Sequence, residues 1–227
     1  VTVIDGATNT TATVSTGTIP RAVAVNPVTN MIYVANNGSN NVTVIDGATN
    51  TTATVVAETN PRAVAVNPAT NMVYVANYSS GNVTVIDGAT NTAIASVASG
   101  TAPFAVAVNP ATNNIYVANY SSANVMVING ATNNSAVTVS VGTTPLAVAV
   151  NPVTNKIYVA NSGSGNVTVI DGATNTTATV GTGSYPDAVA VNPATNKIYV
   201  ANYYSNDVTV IDGATNTTAT VAVGTNP

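Results

Sequence analysis

The chain has 227 residues, of which 45% are hydrophobic and only 5% charged, with a net charge of −4. One domain of this length can bury a sizeable core, and a thin, acidic charge set without a basic cluster excludes nucleic acid as an expected partner. Cys and His are both absent, which removes thiolate and imidazole nucleophiles and bases and any structural zinc site, and no apolar run long enough for a membrane-crossing helix occurs.

In chain order, the first element is Val1-Thr2-Val3-Ile4, closed by Asp5-Gly6-Ala7-Thr8-Asn9. Near-copies of this nonapeptide begin at Val42, Val83, Val125, Val167 and Val208, at spacings of 41, 41, 42, 42 and 41 residues. A fixed period of this size is the mark of a repeat architecture. Between the copies, the stretch from Arg62 to Pro103 shows the unit. Ala63-Val64-Ala65-Val66 ends at Asn67-Pro68, and Met72-Val73-Tyr74-Val75-Ala76 ends at Asn77. Val83-Thr84-Val85-Ile86 ends at Asp87-Gly88, and Thr92-Ala93-Ile94-Ala95-Ser96-Val97 runs into the segment from Gly100 to Pro103. Short runs of β-branched and small residues, each closed by Asn, Pro, Asp or Gly, predict four strands, A to D. Strand A is apolar on both faces and strand D is Thr-rich, so A is expected to be the buried innermost strand and D the wet outermost one. That gradient predicts an all-β fold, a β-propeller of four-stranded antiparallel blades.

Strands A and B occur five times and strands C and D six times. The expected organisation is one propeller domain, or a fragment of one. It would hold an N-terminal C–D half-blade over 1–20 and complete blades over 21–61, 62–103, 104–145, 146–186 and 187–227. A six-bladed ring follows if a further A–B pair closes it; a seven-bladed parent is the alternative.

Ile32-Tyr33-Val34-Ala35-Asn36, its relatives at Tyr74, Tyr116, Tyr158 and Tyr199, the preceding Ala-Val-Ala-Val-Asn-Pro and the following Val-Thr-Val-Ile-Asp resemble the repeat of the YVTN β-propeller proteins over essentially the whole chain. That family is found largely on cell surfaces, including archaeal surface layers. The resemblance implies an extracellular, non-catalytic, structural or adhesive module, without a cofactor. Its expected partners are further copies of itself or other surface proteins. The uncharged edges Thr51–Val55, Thr176–Val180 and Thr217–Val221 add an expectation of self-assembly by strand addition. Membrane insertion is not expected. The alternative function is a carbohydrate-binding propeller.

An antiparallel meander puts the A–B and C–D loops at one end and the D–A and B–C loops at the other. The first end is nearly invariant. Its Asp5, Asp46, Asp87, Asp171 and Asp212 suit either Ca²⁺ or capping of their own turns, and the turn is the simpler expectation, since Asn129 fills the same place. The second end varies, which makes it the candidate recognition face. The residue before strand A is Arg21, Arg62, Phe104, Leu146 or Asp187, and the B–C loops carry Tyr78, Tyr120, Tyr203 and Tyr204. Loop tyrosines have no core to fill and suit ring stacking, while Arg21 and Arg62 suit an anion. The strand-B tyrosines read as core residues with a bonded hydroxyl. Sequons at Asn9, Asn50, Asn175 and Asn216 arise from the repeat itself. Asp187, Asp207 and Glu58 stand outside the repeated turn, with nothing in their spacing to bring them together for acid–base work.

Overall fold

A computed structural model describes residues 1–227, the side chains of Ser135 and Ala136 excepted. Every regular element among them is a β-strand. The N-terminal pair is β1 (Thr2–Ile4) and β2 (Thr11–Thr13). The first blade is β3 (Pro20–Asn26), β4 (Met31–Asn36), β5 (Asn41–Asp46) and β6 (Thr52–Val56). The second is β7 (Pro61–Asn67), β8 (Met72–Asn77), β9 (Asn82–Asp87) and β10 (Thr92–Ala98). The third is β11 (Pro103–Asn109), β12 (Asn114–Asn119), β13 (Asn124–Asn129) and β14 (Asn134–Ser140). The fourth is β15 (Pro145–Asn151), β16 (Lys156–Asn161), β17 (Asn166–Asp171) and β18 (Thr177–Gly181). The fifth is β19 (Pro186–Asn192), β20 (Lys197–Asn202), β21 (Asp207–Asp212) and β22 (Thr218–Ala222). Each blade is an antiparallel sheet with its strands in chain order, and β1–β2 forms a sheet of two. The innermost strands β3, β7, β11, β15 and β19 pack in succession. The fold is a β-propeller.

The blades are held together by the period-2 alternation of strand B. In β8, Val73 and Val75 face the first blade, where they join Tyr33, Ala35, Val42 and Val44. Tyr74 and Ala76 point the other way, into a cluster with Ile115, Val117 and Ile128 of the third blade. The third-to-fourth and fourth-to-fifth interfaces repeat the arrangement around Tyr116 and Tyr158. Four of these tyrosines, Tyr33, Tyr74, Tyr116 and Tyr158, are fully buried, whereas Tyr199, on the face of the fifth blade that no blade covers, is 41% exposed. Burial of the tyrosine therefore comes from the following blade, not from its own sheet.

Two expectations change. Strands B and C, not A, are the most deeply buried: β8 and β9 are buried along nearly their whole length, while β7 is mostly half-buried. Strand A is the innermost strand, and its Ala22, Ala24, Ala63 and Ala105 pack at the margin of the inter-blade clusters. The strand-B hydroxyls also lack the expected bond; those of Tyr33, Tyr74, Tyr116 and Tyr158 are buried without a hydrogen-bond partner among the described residues. Burial raises all four phenols, that of Tyr74 to about 12.

At the invariant end, the strand-A asparagine of each blade donates to the A–B loop asparagine of the next. The four bonds are Asn26 to Asn71 (2.7 Å), Asn67 to Asn113 (2.7 Å), Asn109 to Asn155 (2.8 Å) and Asn151 to Asn196 (2.9 Å). The glycine of the C–D turn is required by close approach. A Cβ on Gly88 would lie 2.6 Å from the Asn71 carbonyl oxygen, whose acceptor role toward the Gly88 N–H (2.9 Å) ties the two loops together.

Because the Tyr74 ring fills the interface while its hydroxyl has no partner, Tyr74→Phe is expected to leave stability unchanged or raise it by up to about 1 kcal/mol. Tyr74→Ala is expected to cost about 3–5 kcal/mol; urea unfolding of both variants checks the contrast. The same phenols set an alkaline limit. Their protonated form is favoured in the folded state, so the stabilisation is complete below the unfolded value near 10 and is lost as pH rises above it, for Tyr74 toward 12. Unfolding midpoints measured from pH 9 to 12 should fall across that window, and less steeply in a Tyr74→Phe variant.

Candidate functional site

The invariant end is turn chemistry. The Oδ1 of Asp46 accepts from the Ala48 (2.8 Å) and Thr49 (3.1 Å) amides, and that of Asp87 from Ala89 (2.8 Å). Asp5, Asp171 and Asp212 do the same. Asn129 makes the equivalent 2.9 Å bond from Ala131, so the turn needs an oxygen and not a charge. Lys156 and Lys197 add 2.7 Å ion pairs to Asp171 and Asp212. Those two carboxyls are lowered to about 2, chiefly by the lysine and then by the turn amides. No group of three or more acidic side chains arranged for a metal ion occurs among the described residues.

The variable end is built by two devices that recur in every blade. The first is a β-bulge at the start of strand A. Pro61 pairs with Asn77 and Ala63 with Ala76, so Arg62 is passed over by the ladder. The same shift passes over Arg21, Phe104, Leu146 and Asp187. A bulged residue is free of ladder pairing and its side chain is re-aimed. Here that puts five side chains of four kinds at one end of the propeller.

The second device is a strained clip. The residue before each of these prolines has a left-handed backbone: Ile19 (φ 51°), Asn60 (56°), Ala102 (57°), Thr144 (49°) and Tyr185 (60°). Such a conformation costs about 1–3 kcal/mol for a non-glycine residue, and it is least natural for β-branched Ile19 and Thr144. In each case its carbonyl accepts from the first residue of the B–C loop. The amides are Asn37 (2.9 Å), Tyr78 (2.9 Å), Tyr120 (3.0 Å), Ser162 (3.0 Å) and Tyr203 (2.9 Å). The clip fixes the root of every loop side chain at this end.

Four of the sequence-selected residues meet. The Arg62 guanidinium lies over the Phe104 ring, 3.6 Å from its centroid, and 5.8 Å from that of Tyr78. Phe104 stacks on Tyr120 with centroids 5.6 Å apart and planes 24° apart, and meets Tyr78 edge-on at 6.3 Å. Burial and then the like charge of Arg21 lower the Arg62 guanidinium from its usual range, while Tyr78 and Asp187 oppose the shift. Arg21 and Asp187 therefore act on the same spot from the first and fifth blades. Arg21 is exposed and lines a groove of about 260 Å³ with Val1, Pro20, Ala22, Val23 and Val34. Leu146 stands apart from the others in being buried.

Tyr203 and Tyr204 form a second cluster with Tyr185, at centroid distances of 5.1 Å from each other and 6.1 and 4.8 Å from Tyr185. Tyr185 was missed by the sequence reading. Its signal was present, because the position before the proline varies between copies as freely as the one after it.

The family model that matches is described as a lactonase, a 7-bladed β-propeller, over residues 47–141, less than half of the chain. No curated protein matches the sequence. Among solved structures, the chain is similar to hydrazine synthase of Kuenenia stuttgartiensis at 20% identity and a TM-score of 0.78, covering 92% of this chain and 68% of that one. It is also similar to a functionally unknown protein from Desulfotomaculum acetoxidans at 16% identity and a TM-score of 0.77, covering 92% and 70%. At these identities the likeness carries the propeller fold alone.

The family match corrects the expectation that the chain is not an enzyme: the family it resembles over residues 47–141 is named for a hydrolytic activity. That expectation leaned on the missing His and Cys. Their absence still leaves Arg for developing negative charge and Asp for proton transfer, so residue inventory was too weak a ground.

The Arg62–Phe104 contact is expected to contribute about 0.5–1 kcal/mol beyond simple burial. A double-mutant cycle of Arg62→Ala and Phe104→Ala, read by urea unfolding, should return a coupling energy in that range; full additivity would show that the guanidinium and ring do not interact.

Proposed function

We propose that this propeller binds a carbohydrate-type ligand at its variable end, with a sugar ring seated against the platform of Tyr78, Phe104 and Tyr120. The observation that supports this most is the platform itself. Aromatic rings from two adjacent blades are held in fixed mutual geometry on clipped loops, and rigid aromatic surface offers contact area at small entropic cost. The resemblance of the Tyr-Val-Ala-Asn repeat to surface propellers supports an extracellular setting, in which a glycan-binding face is an adhesive one.

A second function, hydrolysis of a lactone on the same face, is favoured by the family match, whose residues 47–141 contain Arg62, Tyr78, Phe104 and Tyr120. In such a reaction water adds to the lactone carbonyl. The ring C–O bond then breaks, the ring oxygen takes a proton, and a hydroxy acid results. Arg62 would stabilise the oxyanion and Asp187 would accept the water proton.

Calorimetry with simple sugars after a glycan-array screen tests the first function. Tyr120→Ala and Tyr78→Ala are each expected to weaken binding about tenfold, the equivalent of 1.4 kcal/mol. Binding that survives both substitutions would move the ligand away from this face. Acid release from δ-gluconolactone, followed at constant pH with and without the chain, tests the second.

A further inference from the structure

We infer that the ligand of the variable end is an acidic sugar, its carboxylate or phosphate held between Arg62 and Arg21; this rests on the carbohydrate reading above and names the ligand class.

Three observations lead there. Arg62 is half-buried, yet no hydrogen bond or ion pair engages its guanidinium among the described residues; both ion pairs present belong to lysines at the opposite end. The Arg62 nitrogens are not among the buried unpaired polar atoms, so these donors reach solvent and are open to an acceptor from outside. Phe104 covers one face of the guanidinium plane at 3.6 Å. Stacking of this kind leaves the N–H edges free and fixes the direction in which they point, the geometry that suits bidentate capture of an oxyanion. Finally, Arg21 occupies the identical bulge position on β3, which packs directly against β7. Its charge is felt at Arg62 as a repulsion. Two like charges held at neighbouring bulges are unfavourable in the free protein, and an anion between them relieves the repulsion.

The chemistry of the surroundings narrows the ligand. The anion site adjoins the platform, because Phe104 serves both: one neighbour is Arg62, another is Tyr120, with Tyr78 against its edge. A ligand that uses both must carry a ring and an oxyanion on one small molecule. Asp187 acts on Arg62 from the fifth blade and opposes an anion placed on its side. The acidic group is thereby directed toward Arg21 and the sugar ring toward Tyr120.

Paired probes in calorimetry test this on the whole chain: glucose against glucuronate and glucose 6-phosphate, and galactose against galacturonate. The acidic member of a pair is expected to bind at least tenfold more tightly at low salt. Arg21→Gln is expected to bring it down to the level of the neutral sugar. Arg21 is exposed, so that variant tests binding without disturbing the core, and a melting curve checks it. Arg62→Lys, which keeps the charge and loses the fork, is expected to weaken a carboxylate more than a phosphate, and Asp187→Asn to strengthen both. The two acidic arms separate carboxylate from phosphate as the preferred group. Equal affinity for neutral and acidic sugars would overturn this inference and leave the carbohydrate reading standing. An acid preference that survives Arg21→Gln and Arg62→Gln would overturn it as well. Failure of every probe, neutral and acidic, would overturn both.

Discussion

A single blade of this protein cannot bury its own core, and that constraint organises everything else. Strand B sends alternate side chains to opposite neighbours: Val73 and Val75 one way, Tyr74 and Ala76 the other. Each sheet is apolar on both faces and is satisfied only between two others. Burial of one such Val or Ile side chain contributes roughly 1.5–3 kcal/mol, and each interface holds seven to nine buried residues. The interfaces are therefore a major part of the stability, and repeat identity follows from them. A change at Tyr74 would have to be met by Ile115, Val117 and Ile128 of the next blade. When every interface is the same, the interface residues are held to one solution.

The two ends of the propeller respond to that constraint differently. At the A–B and C–D end, neighbouring blades are also joined by the asparagine ladder, whose acceptor loop is held within its own blade by the C–D glycine. Substitution there would break an inter-blade contact. At the other end, the first residue of each B–C loop is tied to the D–A loop through its backbone amide. A backbone hydrogen bond does not depend on which side chain its residue carries. That is why Asn37, Tyr78, Tyr120, Ser162 and Tyr203 can share one position without disturbing the fold.

Strands were legible in the sequence because β-branched runs alternate with Asn, Asp, Gly and Pro, and the end-to-end sorting of loops followed from antiparallel connection alone. The burial gradient was misjudged for a physical reason. An apolar strand such as Ala63-Val64-Ala65-Val66 looks like the deepest element, but the innermost strand of a propeller faces an axis on one side, and depth belongs to the strands sandwiched between sheets. Clustering of Arg62 with Phe104 could not be read, since it depends on how far one blade turns relative to the next. The left-handed residues before proline were equally hidden, because Ile19 and Thr144 carry no sign of positive φ. Tyr185 could be picked out only by its variation between copies; its role comes from the carbonyl it offers to Tyr203 and from the ring it places beside Tyr204.

The bulge at the start of strand A resolves the apparent conflict between a monotonous scaffold and a specific surface. A residue passed over by the ladder makes no ladder pairing for a neighbour to match. Its identity is almost free of the fold. Five consecutive blades use that freedom in four ways, as Arg21, Arg62, Phe104, Leu146 and Asp187, while Ala22, Ala63, Ala105, Ala147 and Ala188 directly after it do not change. Convergence on the axis then turns independent substitutions into a joint site. A cation in one blade acquires an aromatic support from the next and lies near the equivalent cation of the previous one. None of these residues needs a partner within its own repeat. The repeated blade supplies the scaffold, and change at a single unpaired position per copy is sufficient to give neighbouring blades a chemistry that no blade has alone.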